Sequence, residues 1–340
     1  MAHVLITGAG GYIGSVLTRV AATAGHRITV VDRFFFGQET LQDVVGKEKL
    51  RVWRKDIRDL APSDFEGVDA VFDLAAFSND PSSDLDPALT EAVNYKGRVH
   101  VATCAKAAGV KRYILSSSCS VYGHGEAVGL TEESLTKPLT TYAQSNLRAE
   151  QDTSKLASNH FCWSAIRNAT VFGLSPRMRF DLVVNLMTLN AVQKGKIIVL
   201  GGGRQWRPLV HVRDVAGCFL KTLDAPTDQV NGQVFNLGLD NYQVLSIAYI
   251  VRETLPFRIE IELAPDDADK RDYNVSFGKI KRVLGFEAEH NIPAAIDEIY
   301  EALKSGQTEA TAKTSTVGWY RTIIEADRLL NQVRLNDRLL

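Results

Sequence analysis

The chain has 340 residues, 45% of them hydrophobic, which is enough for a large core in two domains or one large α/β unit. Its 39 basic and 40 acidic residues nearly cancel, so we expect neither a nucleic-acid partner nor a membrane partner. No apolar run is long enough to span a bilayer and the N-terminus lacks signal-peptide features, which predicts a cytoplasmic protein. The four cysteines have no zinc-type spacing, so we expect free thiols and no metal site.

A glycine-rich loop, TGAGGYIG at 7–14, connects the first apolar strand to the first helix. In such a loop Gly8 permits the tight turn, Gly11 lets backbone amides approach a pyrophosphate, and Gly14 lets the helix pack closely on the strand. The N-terminus of the helix adds a partial positive charge. This segment therefore predicts a bound dinucleotide.

The second apolar strand ends at Asp32. A carboxylate at this position accepts hydrogen bonds from the adenosine ribose hydroxyls and repels a 2′-phosphate. Asp32 therefore favours NAD over NADP as the cofactor.

Strand-like and helical patterns alternate as far as Phe172. The predicted strands are 3–7, 28–32, 51–54, 69–75, 111–117 and 161–167, and the predicted helices are 12–24, 88–108 and 141–158. This order is typical of an α/β protein with a Rossmann-type, doubly wound parallel sheet.

The pattern after Phe172 is less regular, with predicted helices at 181–194 and 213–223 and strands near 197–200, 209–212 and 233–237. We expect an NAD-binding Rossmann domain at 1–171 and a smaller, partly interleaved C-terminal substrate-binding domain at 172–304. The segment near 209–238 is expected to return to the Rossmann sheet.

Residues 305–340 are predicted to form a linker and a C-terminal helix, from about 318 to 333. One face of this helix is expected to dock on the body of the protein or on a partner subunit. That face carries Ile323, Ala326, Leu330 and Val333.

Several motifs in the right order give the chain a family resemblance. It resembles the extended short-chain dehydrogenase/reductases, and within them the nucleotide-sugar epimerases and dehydratases, in TGAGGYIG, Asp32, Asp56, LAA at 74–76, SSSCSVYG at 116–123, Tyr142, and the segment from Trp206 to Asp214. The resemblance covers most of the chain. It implies NAD as cofactor, a nucleotide-sugar substrate, and a homodimer formed through the helices at 88–108 and 141–158.

The resemblance also implies roles for individual residues. Tyr142 would be the general base on a sugar hydroxyl, and Ser118 would hydrogen-bond the same oxygen, while Asn146 stands where the family has a lysine. Cofactor contacts are implied for Gly8, Gly11, Tyr12, Ile13, Gly14, Asp32, Asp56, Ile57, Leu74, Ala75, Ala76, Asn94, Tyr142 and Asn146. Substrate contacts are implied for Ser78, Asn79, Thr170, Arg179, Arg207 and Arg271. For Arg271 an ordinary surface salt bridge is an equal alternative.

The replacement of the family lysine by Asn146 removes a charge that stabilises the Tyr142 phenolate. A tyrosine left about 3 pKa units above neutral pH costs roughly 4 kcal/mol, or about a thousandfold in base catalysis. The cationic nicotinamide or Lys96 would partly substitute, although Lys96 is better explained as a solvated helix residue.

The residues after Ser118 bear on the reaction. Cys119 and Ser120 stand where the family's 4,6-dehydratases have an Asp-Glu pair and its decarboxylases a Glu. Cys119 is interpreted as a small buried thiol, with an acid/base role as the alternative. Uncharged residues here favour an epimerase, with C4 as the expected carbon. The alternatives are a keto-reductase, an atypical dehydratase, or an NAD-binding protein with weakened or no catalysis because of Asn146.

Overall fold

The computed structural model describes residues 1–44, 49–124, 128–265 and 271–335. The strands are β1 (His3–Thr7), β2 (Arg27–Asp32), β3 (Leu50–Arg54), β4 (Ala70–Asp73), β5 (Arg112–Ser118), β6 (Cys162–Asn168), β7 (Thr170–Phe172), β8 (Lys196–Leu200), β9 (Trp206–His211), β10 (Gln233–Leu237), β11 (Asp240–Gln243) and β12 (Glu260–Ala264). The helices are α1 (Tyr12–Thr23), α2 (Asp80–Ser83), α3 (Pro87–Thr90), α4 (Arg98–Ala107), α5 (Thr141–Ser154), α6 (Val183–Lys194), α7 (Val212–Asp224), α8 (Thr227–Val230), α9 (Val244–Thr254), α10 (Gly278–Leu284), α11 (Ile292–Lys304) and α12 (Thr316–Val333).

The central sheet has seven parallel strands in the order β10-β6-β5-β4-β1-β2-β3. Its inner strands are apolar runs buried on both faces, as parallel sheets between helices require. One core lies on the side of α1 and α7, and a second lies on the side of α4 and α5. The predicted Rossmann-type fold is confirmed.

The predicted helix at 88–108 is divided into α3, a π-helical segment at 91–97, and α4. Gly97 lies at the junction, where an added Cβ would come within 2.9 Å of the Ile57 side chain. The close approach of these two segments explains the glycine. A wide π turn also changes which side chains face the sheet from there on, and such turns often occur at functional sites.

The second half of the chain contributes smaller sheets and returns once to the large one. β7, β9 and β11 form a three-stranded sheet, and β8 pairs with β12. A third core is enclosed by α6, α9 and α11. β10 pairs in parallel with β6 at the edge of the central sheet, after α7 has packed against α1. This half of the chain therefore covers the carboxyl ends of the central strands.

α12 begins two residues before its predicted start, and it contacts the rest of the chain mainly through its first turns. Thr316 and Tyr320 are buried, whereas Val333 is 55% exposed. The predicted docking face therefore does not pack on the body of this chain along its whole length.

None of the helices in the described ranges is both long and apolar enough to cross a membrane. All four cysteines fall in those ranges and are buried and outside any disulfide, in agreement with the predicted free thiols.

Candidate active site

A cavity of about 580 Å³ lies between the carboxyl ends of the central strands and the second half of the chain. The residues to which the family resemblance assigns catalytic, cofactor or substrate contacts all line this cavity, with the exception of Asn94. The fold therefore brings together residues as distant in sequence as Gly8 and Arg271.

The glycine loop is shaped by close contacts. Gly8 has a φ of +69°, which favours glycine, and a Cβ there would lie 2.8 Å from the Ala75 nitrogen. A Cβ at Gly14 would overlap the Gly8 carbonyl oxygen and lie 2.7 Å from the Ala9 Cα. At Gly11 an added Cβ would meet only the Gly8 oxygen, at 3.1 Å, and Gly11 lines the cavity. The loop therefore presents its backbone to the cavity, as a pyrophosphate site requires.

Asp32 is fixed at the end of β2 by two backbone groups. Its carboxylate accepts hydrogen bonds from the N–H groups of Gly10 (2.9 Å) and Phe34 (2.6 Å). Burial raises the pKa of Asp32, whereas these hydrogen bonds and Arg177 act in the opposite direction. Asp32 therefore has the position that a ribose-binding carboxylate needs in a Rossmann site.

Asp56 lies further along the same side of the cavity. Burial favours the protonated form, but Arg58 and Arg33 both donate hydrogen bonds to the carboxylate, so the pKa of Asp56 is lowered. The sequence did not suggest these arginine contacts.

Asn94 lies behind the cavity wall. Its side chain accepts a hydrogen bond from the Phe77 N–H (2.8 Å) and donates one to the Phe77 carbonyl (3.0 Å). It is therefore placed to hold the loop that follows β4 rather than to touch a ligand in the cavity.

Tyr142 and Ser118 both line the cavity, and their side chains lie close enough to affect each other. Ser118 ends β5 and its Oγ accepts a hydrogen bond from the Ser120 N–H (3.2 Å), while Tyr142 lies in the first turn of α5. Burial raises the pKa of Tyr142 and Asp80 adds to this effect, whereas Arg98 and the hydrogen bond from Ser118 lower it. The pair can share one substrate oxygen, as base and hydrogen-bond donor.

Asn146 lies one helical turn after Tyr142 and is buried. Its Oδ1 accepts a hydrogen bond from Nη1 of Arg98 (2.8 Å), and its Nδ2 donates one to the Tyr142 carbonyl (3.0 Å). Lys96, the alternative source of positive charge, is 68% exposed and lies 3.5 Å from Glu91, which agrees with its interpretation as a solvated helix residue. Sequence reasoning missed Arg98, because no motif contains it.

Cys119 is not among the residues that line the cavity. It is buried and donates a hydrogen bond to the Arg167 carbonyl (3.1 Å), and burial strongly raises its pKa. These contacts favour the interpretation of Cys119 as a small buried thiol.

Charged side chains line the far side of the cavity. Arg271 pairs with Asp80, which also accepts a hydrogen bond from Thr140. Arg207 is buried on β9 and donates to the carbonyl groups of Trp206 and Arg271. A cluster of arginines at one end of a pocket suits the two phosphates of a nucleotide diphosphate.

Arg179 links two segments of the cavity wall, the one after β4 and the one before α6. It forms an ion pair with Asp181 (2.9 Å) and donates hydrogen bonds to the backbone and hydroxyl oxygens of Ser78. Asn79 also donates to Asp181 (2.9 Å), and Thr170 lines the cavity from β7. Their side chains therefore meet between the end of β4 and the start of α6.

An aromatic cluster that the sequence did not suggest closes the end of the cavity near Asp32. It consists of Phe35, Phe36, Phe77 and Tyr320, all of which line the cavity. The Arg177 guanidinium lies 3.7 Å from the centre of the Phe36 ring. Tyr320 comes from the last helix, so only the folded chain reveals this contact.

The fold and the cavity define a Rossmann-type enzyme whose ligands meet at the carboxyl edge of the sheet. The sequence profile of the NAD dependent epimerase/dehydratase family matches residues 4–238, and the chain belongs to this family. The predicted membership of the extended short-chain dehydrogenase/reductases and the predicted cofactor, NAD, are thereby confirmed.

Curated relatives cover several reactions. UDP-glucuronic acid decarboxylase 1 of Xenopus tropicalis is 28% identical over 302 residues, which are 84% of this chain and 68% of the relative. UDP-glucose 4-epimerase of Corynebacterium glutamicum is 26% identical over 306 residues, which are 84% of this chain and 91% of the relative. These two relatives are named for different reactions, and both names specify a UDP sugar.

Solved structures agree in fold. MoeE5 in complex with UDP-glucose and NAD is 25% identical, with a TM-score of 0.78, and the match covers 90% of this chain and 100% of that one. The UDP-N-acetylglucosamine 4-epimerase of Methanobrevibacter ruminantium M1 has a TM-score of 0.82 at 20% identity, covering 90% of this chain and 99% of that one. The second likeness concerns the fold alone.

Proposed function

We propose that this protein is an NAD-dependent nucleotide-sugar epimerase that oxidises and re-reduces one carbon of the sugar, C4. The observation that carries the proposal is the pair of Ser118 and Tyr142, which lines one cavity with the glycine loop and with Arg207. A sugar hydroxyl that reaches this pair gives its proton to Tyr142 while Ser118 holds the oxygen.

The cavity fits NAD. Gly8, Gly11 and Gly14 leave room for the pyrophosphate at the N-terminus of α1, and Asp32 faces the place of a ribose. When bound, NAD supplies the acceptor and donor of hydride. The chain's own residues hold the sugar, move the hydroxyl proton and exclude water.

The residues around Ser118 argue against elimination or decarboxylation. Cys119 does not line the cavity, and Ser120 carries no charge. Asp80 is the carboxylate that most affects Tyr142, but it accepts hydrogen bonds from Thr140 and Arg271. Those donors favour a carboxylate that accepts, whereas elimination needs a group that donates a proton.

A panel of UDP, GDP and TDP sugars, incubated with NAD and followed by NMR, tests the proposal. UDP sugars are the first choice, because the relatives named above act on them. We expect conversion of one sugar to its C4 epimer without net reduction of NAD. Tyr142→Phe removes the base and Ser118→Ala removes the hydrogen bond, and both should slow the conversion by roughly 100-fold or more.

Other outcomes identify other functions. Net oxidation or reduction of added cofactor indicates a keto-reductase, and loss of water from the sugar indicates an atypical dehydratase. Tight binding of NAD with no conversion of any sugar in the panel contradicts the proposal and indicates a binding protein.

We also propose a cytoplasmic homodimer that forms through the surface of α4, α5 and the π-helical segment between α3 and α4. This surface carries a polar network in which Arg148 lies 4.0 Å from the centre of the Tyr95 ring and 3.5 Å from Glu91. Sedimentation that finds only monomer overturns this assignment. Arg148→Glu should weaken the dimer.

A further inference from the structure

Arg98 is a fully buried cation that donates hydrogen bonds to groups beside the candidate site. It begins α4, directly after the π-helical segment, and its side chain is about 1% exposed. Nη1 donates to Oδ1 of Asn146 (2.8 Å), and Nη2 donates to the carbonyl groups of Asp73 (3.0 Å) and Ser116. A buried charge is retained only when such partners hold it.

The arginine settles the orientation of the Asn146 amide. A guanidinium has donors only, so the amide must turn its oxygen toward Arg98 and its nitrogen away from it. Nδ2 then donates one hydrogen to the Tyr142 carbonyl, at 3.0 Å. Asn146 also lines the cavity, so the second hydrogen of Nδ2 can serve a ligand there.

We propose that Arg98 is a positioning residue that replaces the missing family lysine from behind, by orienting Asn146 and by placing its own positive charge near Tyr142. The inference rests on the proposed role of Tyr142 as the base. Arg98 touches neither the cavity nor a reacting atom, and it acts through Asn146 and through its electric field.

The charges that face Tyr142 and Arg98 determine the size of the effect. Asp80 at the start of α2 opposes ionisation of Tyr142, while Arg179, before α6, and Arg98 favour it. Asp73 on β4 lies 3.7 Å from Nε of Arg98 and offsets part of its charge. The Asp73 carboxylate also accepts hydrogen bonds from Thr7 and Tyr113, so Arg98 is not its only partner.

The same geometry explains why residue 146 is not a lysine. An ammonium group at this position would face a buried guanidinium that already donates to residue 146. Two cations at hydrogen-bond distance, away from water, repel strongly. Arg98 and Asn146 are therefore expected to depend on each other.

Reciprocal rescue tests this dependence without any sugar. Asn146→Lys alone should lower the melting temperature and weaken NAD binding by about tenfold or more. Arg98→Met alone should have the same two effects, because it leaves Asp73 without its cation. The double variant should recover much of both losses. Arg112→Met, which removes another part-buried arginine at the opposite end of β5, should not rescue Asn146→Lys. If Asn146→Lys alone keeps the parent's melting temperature and NAD affinity, the proposal is wrong.

A titration of Tyr142 separates positioning from simple structural support. Tyrosinate formation is followed by ultraviolet absorption in the NAD-saturated protein, taking the difference between each variant and its Tyr142→Phe counterpart. Arg98→Met should raise the midpoint by about one pH unit, a tenfold change in the ionised fraction. Arg98→Lys should raise it less, and Arg112→Met should leave it unchanged. An unchanged midpoint in folded Arg98→Met overturns the proposal, whereas failure of the sugar panel alone overturns only the proposed function.

Discussion

Tyr320 packs against Phe77 with 4.7 Å between the ring centres, which joins the last helix of the chain to the loop after β4. The same ring meets Phe35 and Phe36, the residues that follow β2, and Trp319 donates a hydrogen bond from its indole nitrogen to the Phe35 carbonyl (2.6 Å). α12 thereby covers the end of the cavity at which Asp32 lies. The covering ring is itself buried, at 7% exposure.

We predict that Tyr320→Ala weakens both the fold and the binding of NAD. Loss of a buried aromatic side chain costs about 3–5 kcal/mol when the site cannot collapse, and here it also opens the cavity to water. Calorimetric unfolding and titration with NAD measure the two effects. Leu329→Ala is the matched control on the same helix, because Leu329 is 60% exposed and should change neither. Equal NAD affinity in parent and Tyr320→Ala would contradict the assignment of this cluster to the cofactor site.

The elements of the Rossmann half were predictable because each depends on local pattern. β1, the glycine loop and α1 are read from apolar runs and glycine spacing within the first residues of the chain. The division of the helix at 88–108 was not predicted, and at its junction Gly97 approaches Ile57, which comes from a separate segment.

The candidate site shows the same limit. Sequence motifs contain Tyr142, Ser118 and Asp32, so their place in the site could be predicted from the sequence. Arg98 meets Asn146 across a separation of 48 residues, and Tyr320 reaches the residues after β2 from the far end of the chain. Such partners are set by packing, which no local pattern encodes.

Gly14→Ala should destabilise the protein by roughly 1–3 kcal/mol and weaken NAD binding. The new methyl group would overlap the Gly8 carbonyl oxygen, so α1 must move away from the loop that it holds. Urea unfolding and NAD titration measure the change. The control is Gly217→Ala in α7, the helix that packs against α1. The nearest neighbour of the added Cβ would be Phe286, at 3.7 Å. That substitution should be neutral or stabilise by up to about 1 kcal/mol. Similar losses at both glycines would refute the close-packing argument.

Glu150→Leu should lower the free energy of unfolding by about 3–5 kcal/mol. Glu150 on α5 is buried, accepts hydrogen bonds from Nε (3.0 Å) and Nη2 (2.7 Å) of Arg167 on β6, and also accepts one from Ser117. Removing one partner leaves a buried, unpaired charge. Since α5 carries Tyr142, activity should fall as well.

Two further variants check the origin of that loss. The double variant Glu150→Leu/Arg167→Met removes both charges and should be less destabilised than Glu150→Leu alone. Glu301→Gln breaks the exposed pair with Lys304 and should change stability by less than about 1 kcal/mol. A double variant at least as unstable as Glu150→Leu would show that the two side chains do not act as a pair.

The free energy of unfolding is predicted to fall as the pH is lowered, because of His211. Its imidazole is 1% exposed, its Nδ1 accepts a hydrogen bond from the Arg213 N–H (3.2 Å), and its ring stacks on His290 at 4.7 Å. Burial, assisted by His290 and Arg213, lowers the pKa of His211 from 6.5 to about 3. Between these two pKa values the His211 imidazole is protonated in the unfolded chain but not in the folded chain. The contribution of His211 to the free energy of unfolding is therefore fully present above about pH 6.5. It is lost as the pH falls toward 3, by up to about 1.4 kcal/mol per pH unit.

His211→Asn isolates this contribution, because asparagine can still accept the hydrogen bond at the start of α7 but does not titrate. Urea unfolding of parent and variant across the same pH range should show a shallower decline in the variant. His160→Asn changes an exposed histidine and should keep the parent's pH dependence. Identical slopes in parent and His211→Asn would mean that His211 is not the group whose protonation drives acid unfolding in this range.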